Sequence, residues 1–173
     1  MRMPTAAAAL MIALSCFVAG VAAAAQPYTS SDRAAIGAAL GHARVTLTDG
    51  LTAAESYGTP VSARFEMDRG ILQLSVYVLG ADGKFSEVVV NTVTGKVTGV
   101  QPIAGLKLAA ARAASRSLPG ATVSLSDAVS RVERFQIGYR AVRVIPGSQN
   151  GKPIAEVTLA RDKDFKAVLQ QLY

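Results

Sequence analysis

His42 is the only histidine in the 173 residues and Cys16 the only cysteine. Zinc and copper sites built on imidazole and thiolate need two or more such ligands. Cys16 lies in an N-terminal run read below as a cleaved leader, so the mature chain excludes those sites. Carboxylate pairs remain. Glu66 with Asp68 and Asp162 with Asp164 could offer oxygens to a hard cation, but they flank turns without a calcium-binding loop pattern and read as solvated turn charges. A serine hydrolase would need His42 beside an activated serine. Instead His42 follows a helix end, and no serine stands on a Gly-x-Ser-x-Gly elbow. The glycines fall singly at expected turns, which removes a phosphate-cradling loop. Glu55 and Glu133 occupy matching places beside an apolar stripe and read as carboxylates at the edge of a packing contact. The expectation is a protein with no catalytic residues, no cofactor and no metal, which acts by binding.

Charge indicates where binding would occur. Residues 26–100 carry six Lys and Arg against seven Asp and Glu, whereas residues 101–173 carry eleven against five. A basic excess confined to one half favours encounter with an acidic protein or an anionic envelope surface, with ordinary solubility as the competing explanation. Nucleic acid is disfavoured, because no aromatic-basic stripe accompanies the charge. Arg64, Gln73, Tyr77 and Arg143, on the outward side of expected strands, together with Arg140, form the expected partner-binding surface.

The elements that would position these residues come from a repeat. Leu40–Glu55 (LGHARVTLTDGLTAAE) returns 78 residues later as Leu118–Glu133 (LPGATVSLSDAVSRVE), with identities at Leu40/Leu118, Ala43/Ala121, Val45/Val123, Leu47/Leu125, Asp49/Asp127 and Glu55/Glu133. An ungapped match of this kind argues for two copies of one structural unit. The units are read as residues 31–103 and 105–173. Ser30, Ser31 and Asp32 offer an N-cap to an Ala-rich helix that stops at Gly41. Thr48 and Ser126 are read as caps of a second helix in each copy, with Asp49 and Asp127 at its positive end. Leu47, Leu51 and Ala54, and likewise Leu125, Val129 and Val132, fall at i, i+4 and i+7 and form one apolar stripe.

Strands follow where the period changes to two. Val61–Met67 and Leu72–Val78 alternate apolar and polar residues, with turns at Asp68–Gly70 and Ala81–Gly83, and a third strand, Phe85–Val90, runs into Thr94-Gly95-Lys96-Val97, a turn with a short continuation. The second copy repeats this over Ala141–Ile145 and Ile154–Leu159. Phe165, Val168, Leu169 and Leu172 then show helical spacing, so this copy is expected to be truncated and to end as a helix. The resulting class is α+β: two tandem helix-plus-antiparallel-meander units, each sheet polar on one face.

Arg2 precedes a run of apolar and small residues from Ala6 to Ala25, which reads as a secretory signal peptide over residues 1–25, cleaved near Ala25. A lipoprotein signal at Cys16 is the lesser alternative, because the apolar run continues past it. Cleavage leaves no transmembrane segment and no cysteine for a disulfide, so stability must come from a core. One unit alone would be marginal at that size, which predicts that the two pack together.

The capped helix with its stripe, the hairpin after it, and Phe85-Ser86-Glu87-Val88-Val89-Val90-Asn91 closing on Thr94-Gly95-Lys96-Val97 resemble the PepSY domain family. Asn91 stands where that family usually has an acidic residue. The resemblance covers residues 45–100 and, through the hairpin, residues 123–173. It implies a cystatin-like fold in an exported protein, periplasmic or secreted, that restrains or regulates proteases. Its partner would be an envelope or secreted protein, with a peptidase among the candidates. A periplasmic ligand-binding or sensory module, with a small molecule held between helix stripe and sheet or in the groove between the two units, is the alternative.

Overall fold

The computed structural model describes residues 28–173. The leader, its cleavage point near Ala25 and Cys16 lie outside the described residues. Among these residues the order is α1 (Ser30–Leu40), α2 (Leu47–Ala54), a short 3-10 turn (Glu55–Tyr57), β1 (Thr59–Asp68), β2 (Ile71–Leu79), β3 (Phe85–Asn91) and β4 (Val97–Pro102). Then come α3 (Gly105–Arg116), α4 (Leu125–Phe135), β5 (Arg140–Gln149), β6 (Lys152–Arg161) and β7 (Asp164–Gln171).

Helix starts are set by hydroxyl caps. Asp32 N–H donates to Thr29 Oγ1 and Asp49 N–H to Thr46 Oγ1, both at 3.1 Å, while each aspartate accepts from the backbone N–H of its cap. Asp127 N–H donates to Ser124 Oγ at 3.0 Å. The caps are therefore Thr29, Thr46 and Ser124, not Ser30–Asp32, Thr48 and Ser126. Leu47 and Leu125 must already be helical for their side chains to join the buried stripe, which moves each cap two residues earlier. Thr48 Oγ1 is buried without a hydrogen-bond partner. The stripe itself is as expected: Leu47, Leu51, Ala54, Leu125, Val129 and Val132 are all buried.

The strands form one antiparallel sheet of seven, ordered β4-β3-β2-β1-β5-β6-β7. Helices α2 and α4 pack side by side over its inner face, where Phe65, Leu74, Val76, Val88, Val144, Val157 and Leu159 are buried with them. The C-terminal segment is a strand, which corrects the helix expected there. Phe165 pairs with Ala160 and Val168 with Val157, so these two side chains lie on opposite faces of β7. Phe165 packs edge-on against Tyr28 and Val168 against the inner core, while Leu169, on the same face as Phe165, is exposed. Apolar residues on both faces of a short strand imitate helical spacing.

The two halves of the chain close in the same way. Arg44 and Val45 N–H both donate to Thr92 O, just after β3, while Thr122 and Val123 N–H both donate to Leu172 O, just after β7. Asn91 Oδ1 accepts from Val93 and Thr94 N–H at 3.0 and 2.9 Å, so an amide oxygen organises the turn before Gly95.

The halves meet along β1 and β5, and the ladder there is short: Ala63 faces Val144 and Arg64 faces Arg143. One step beyond Arg64 and Arg143, the Tyr28 hydroxyl donates to Phe65 O at 2.6 Å and Val142 O at 3.0 Å, bridging carbonyls of the two strands. Helix α1 follows from this wedge. Its Gly37 rests on the β6–β7 turn, where an added Cβ would lie 2.0 Å from Asp162 O, so no larger residue fits. Helix α3 covers the outer face instead, packing Ala111 against Val61, Tyr77 and Ile103. The expected solvent-facing side of the sheet is therefore buried in its centre, with Ser75, Tyr77, Glu87 and Arg143 all inside.

Candidate functional site

Arg64, Tyr77 and Arg143 come together at the β1–β5 seam beneath α3. They line a cavity of about 130 Å³ with Ser62, Ala63, Ile145 and the α3 residues Leu106, Lys107, Ala110 and Ala111. Alternation along β1 and β5 puts both arginines on the outer face, and the register places them directly opposite each other. Like charges so placed repel, and each needs compensation. Arg143 Nη2 donates to Glu156 Oε1 at 2.6 Å and its Nε to Thr158 Oγ1 at 3.2 Å. Arg64 Nε lies 3.3 Å from Glu66 Oε2, an ion pair without hydrogen-bond alignment. Both cations lie over the Tyr28 ring, whose centroid is 5.3 Å from the Arg64 guanidinium carbon and 5.6 Å from that of Arg143. Aromatic faces attract guanidinium groups, so Tyr28 stabilises both. Burial pushes its phenol well above the ordinary tyrosine range, with Arg64 and Arg143 opposing that rise.

Tyr77 leads from the cavity into a polar cluster. Glu87 is 1 % exposed, accepts from Lys107 Nζ at 3.0 and 2.9 Å and from Gln101 Nε2 at 2.9 Å, and takes a 3.4 Å bond from the Tyr77 hydroxyl. Burial works to raise the Glu87 pKa, but hydrogen bonds from Lys107, Gln101 and Ser75 outweigh it and hold the carboxyl below its usual range. Tyr77 is pushed upward, by burial first and then by Glu66 and Glu87. Both groups are therefore fixed at neutral pH, Glu87 as an anion and Tyr77 as a neutral phenol.

Gln73 stands on the same face, donating to Glu66 Oε1 and Ser75 Oγ at 3.1 and 3.2 Å, and lines an open polar groove with Glu66, Glu87, Gln101 and Lys107. Arg140 stands elsewhere. Its guanidinium donates to Leu40 O at 2.6 Å, Ala43 O at 3.2 Å and Val45 O at 3.1 Å, tying the start of β5 to the end of α1. Glu133 Oε1 accepts from Ala141 N–H at 2.7 Å, so this carboxylate caps the start of β5, while Glu55 is exposed in the 3-10 turn.

Sequence reasoning did not single out Tyr28, Glu87, Leu106 and Lys107 as site residues. Tyr28 lies outside the repeated segments, just before the cap of α1, where no local pattern marks it. Among the described residues no cluster of three His, Cys, Asp or Glu could hold a metal ion, and no helix is long and apolar enough to cross a membrane. Comparison with protein-family models, with curated proteins and with solved structures gives no match to this chain.

Proposed function

We propose that this chain is a non-enzymatic binding protein, made of two related units over residues 31–103 and 105–173 that share one sheet. In this reading it is exported after cleavage near Ala25 and restrains or regulates an envelope or secreted protease through its α3-covered face. One observation carries the binding surface: Arg64 and Tyr77 from the first half and Arg143 from the second converge on one cavity. The matched closures at Thr92 and Leu172 support the reading as two units. The Asn91 turn supports the PepSY-like reading of the first, since its amide oxygen does what an acidic side chain would do there.

The test places a photo-crosslinking residue at position 106, with position 57 as a control, in cells that export the chain. The proposal expects one envelope protein captured from position 106 and slowed turnover by a secreted peptidase when purified chain is added. If neither position captures a protein and no peptidase is slowed, the reading is wrong. A small-ligand module is the second reading. It is favoured by the mainly apolar lining of the seam cavity and by a groove of about 800 Å³ between the β2 end and the loop joining α3 to α4. Ligand found by mass spectrometry of protein purified under native conditions would select it.

A further inference from the structure

We infer that the corner where α4 turns into β5 is a docking surface for an anionic lipid bilayer. Its apolar part is Phe135, which ends α4, and Ile137, 79 % and 91 % exposed. Single exposed apolar residues need no explanation, but this pair is held outward by its own turn. Gln136, between them, turns in: its side-chain oxygen accepts from Lys166 Nζ at 2.6 Å and its carbonyl from Tyr139 N–H at 3.0 Å. Tyr139 is fixed in turn by a hydrogen bond to Asp164 and by Arg161 and Lys166 over its ring, at 4.5 and 3.7 Å from the centroid. Anchored in this way, the turn presents both apolar side chains to water. The first repeated segment has no such corner. There β1 begins four residues after Glu55, whereas β5 begins seven residues after the matching Glu133, so the second segment is followed by three extra residues.

The charges around the corner select the partner. Arg131 stands one helical turn before Phe135, Arg134 is its neighbour, and Lys163 lies in the β6–β7 turn, whose flanking Arg161 and Asp164 touch Tyr139. Arg131, Arg134 and Lys163 are exposed and have no ion pair among the described residues. Two of the three nearby carboxylates are engaged: Glu133 accepts from Ala141 N–H at 2.7 Å, and Asp164 accepts from Tyr139 and lies 3.8 Å from Arg161. Asp162 is the third, exposed in the turn. The corner therefore offers an excess of positive charge around two apolar side chains. At an anionic bilayer the side chains enter the boundary of the acyl chains, and each cation near the headgroups strengthens binding by about fivefold. A stable protein interface covers about 800 Å² on each partner, which two protruding side chains do not supply. Helix α4 lies on the inner face of the sheet and α3 on the outer, so the inference does not depend on a protease bound at α3.

The chain has no tryptophan, so Ile137→Trp places a fluorescent reporter at the corner, and Leu106→Trp places a control at a comparably exposed apolar position on α3. Each variant, purified from cells that export the chain, is titrated with vesicles of brominated phosphatidylcholine, alone or with an equal part of phosphatidylglycerol. The expected result with the anionic vesicles is a blue shift and bromine quenching at position 137 and neither at position 106, with phosphatidylcholine alone bound at least about tenfold more weakly. In the Ile137→Trp background, Arg131→Gln with Arg134→Gln should weaken binding by about tenfold or more, and Phe135→Ser should remove the quenching. All these side chains are in water, so the variants stay folded, which circular dichroism checks. No quenching at position 137, equal quenching at both positions, or equal binding to the two vesicles would each overturn the inference. Self-association without lipid that Phe135→Ser abolishes would assign the corner to a second copy of the chain and overturn it as well. None of these outcomes bears on the protease reading, which the position-106 crosslink tests by itself.

Discussion

The two ends of the β1–β5 ladder are built differently. Tyr28 is buried at one end of the β1–β5 ladder and bridges both strands, whereas Leu106 stands in solvent beside an open cavity at the other end. The difference shows that one seam is closed by a side chain at one end and covered by a helix at the other. One end of the seam is closed by a side chain whose single hydroxyl proton is shared between a carbonyl of each strand. The other end keeps the same arginines and leaves the space between them and α3 unfilled.

The comparison can be broken most directly at Tyr28. Tyr28→Ala removes a buried aromatic group and leaves two carbonyls without their donor, so it should cost about 3–5 kcal/mol in urea unfolding. A loss under about 1 kcal/mol would mean that the first end of the seam holds nothing together. Arg140→Met comes next. Three carbonyls at the α1 end lose a charged donor, and a loss of about 2–3 kcal/mol is expected by the same measurement.

Glu87→Gln sharpens the comparison on the cavity side, with a loss of about 1–3 kcal/mol at neutral pH. The folded pKa of Glu87 is depressed, so its stabilisation is fully present above the ordinary glutamate value of about 4.3 and is lost as pH falls through the lower folded value. The variant should therefore show a flatter fall in stability between neutral and acid pH than the parent chain. A variant that loses stability in acid as steeply as the parent would remove Glu87 from that role.

Thr46→Ala and Ser124→Ala test whether the halves are equivalent where they look alike. Each should cost about 1 kcal/mol, and unequal costs would show that the matched caps do not carry matched load. The smallest effect belongs to Leu106→Ala, within about 0.5 kcal/mol, because the side chain is already in water. A larger loss would place Leu106 inside the cavity in solution.

Much of the inner layer was legible in the sequence. Leu47, Leu51 and Ala54 recur in type and spacing as Leu125, Val129 and Val132, and one-sided burial leaves that period visible. The outer layer was not legible. Ser75, Tyr77, Glu87 and Arg143 alternate as a solvent-facing set should, yet α3 and the seam bury them. Their polarity is satisfied by partners distant in sequence, such as Lys107 for Glu87, and no local pattern announces such a partner. Of the five expected surface residues, Arg64, Tyr77 and Arg143 share the cavity, Gln73 lies in the neighbouring polar groove, and Arg140 was drawn inward by three carbonyls that only the folded α1 end presents.

By itself the sequence determined the α+β class, the capped helices with their apolar stripes, and the hairpins that follow them. These depend on neighbours within a few residues, so local periodicity and capping chemistry suffice. Only the tertiary structure decided that all seven strands join one sheet, that the C-terminal segment pairs as its edge, and that Arg64 and Arg143 stand opposite each other beneath α3. Those outcomes depend on how β1 meets β5 and on which helix covers which face. The energy that decides them comes from contacts between residues about 80 apart, such as Arg64 and Arg143, rather than from the propensity of any segment.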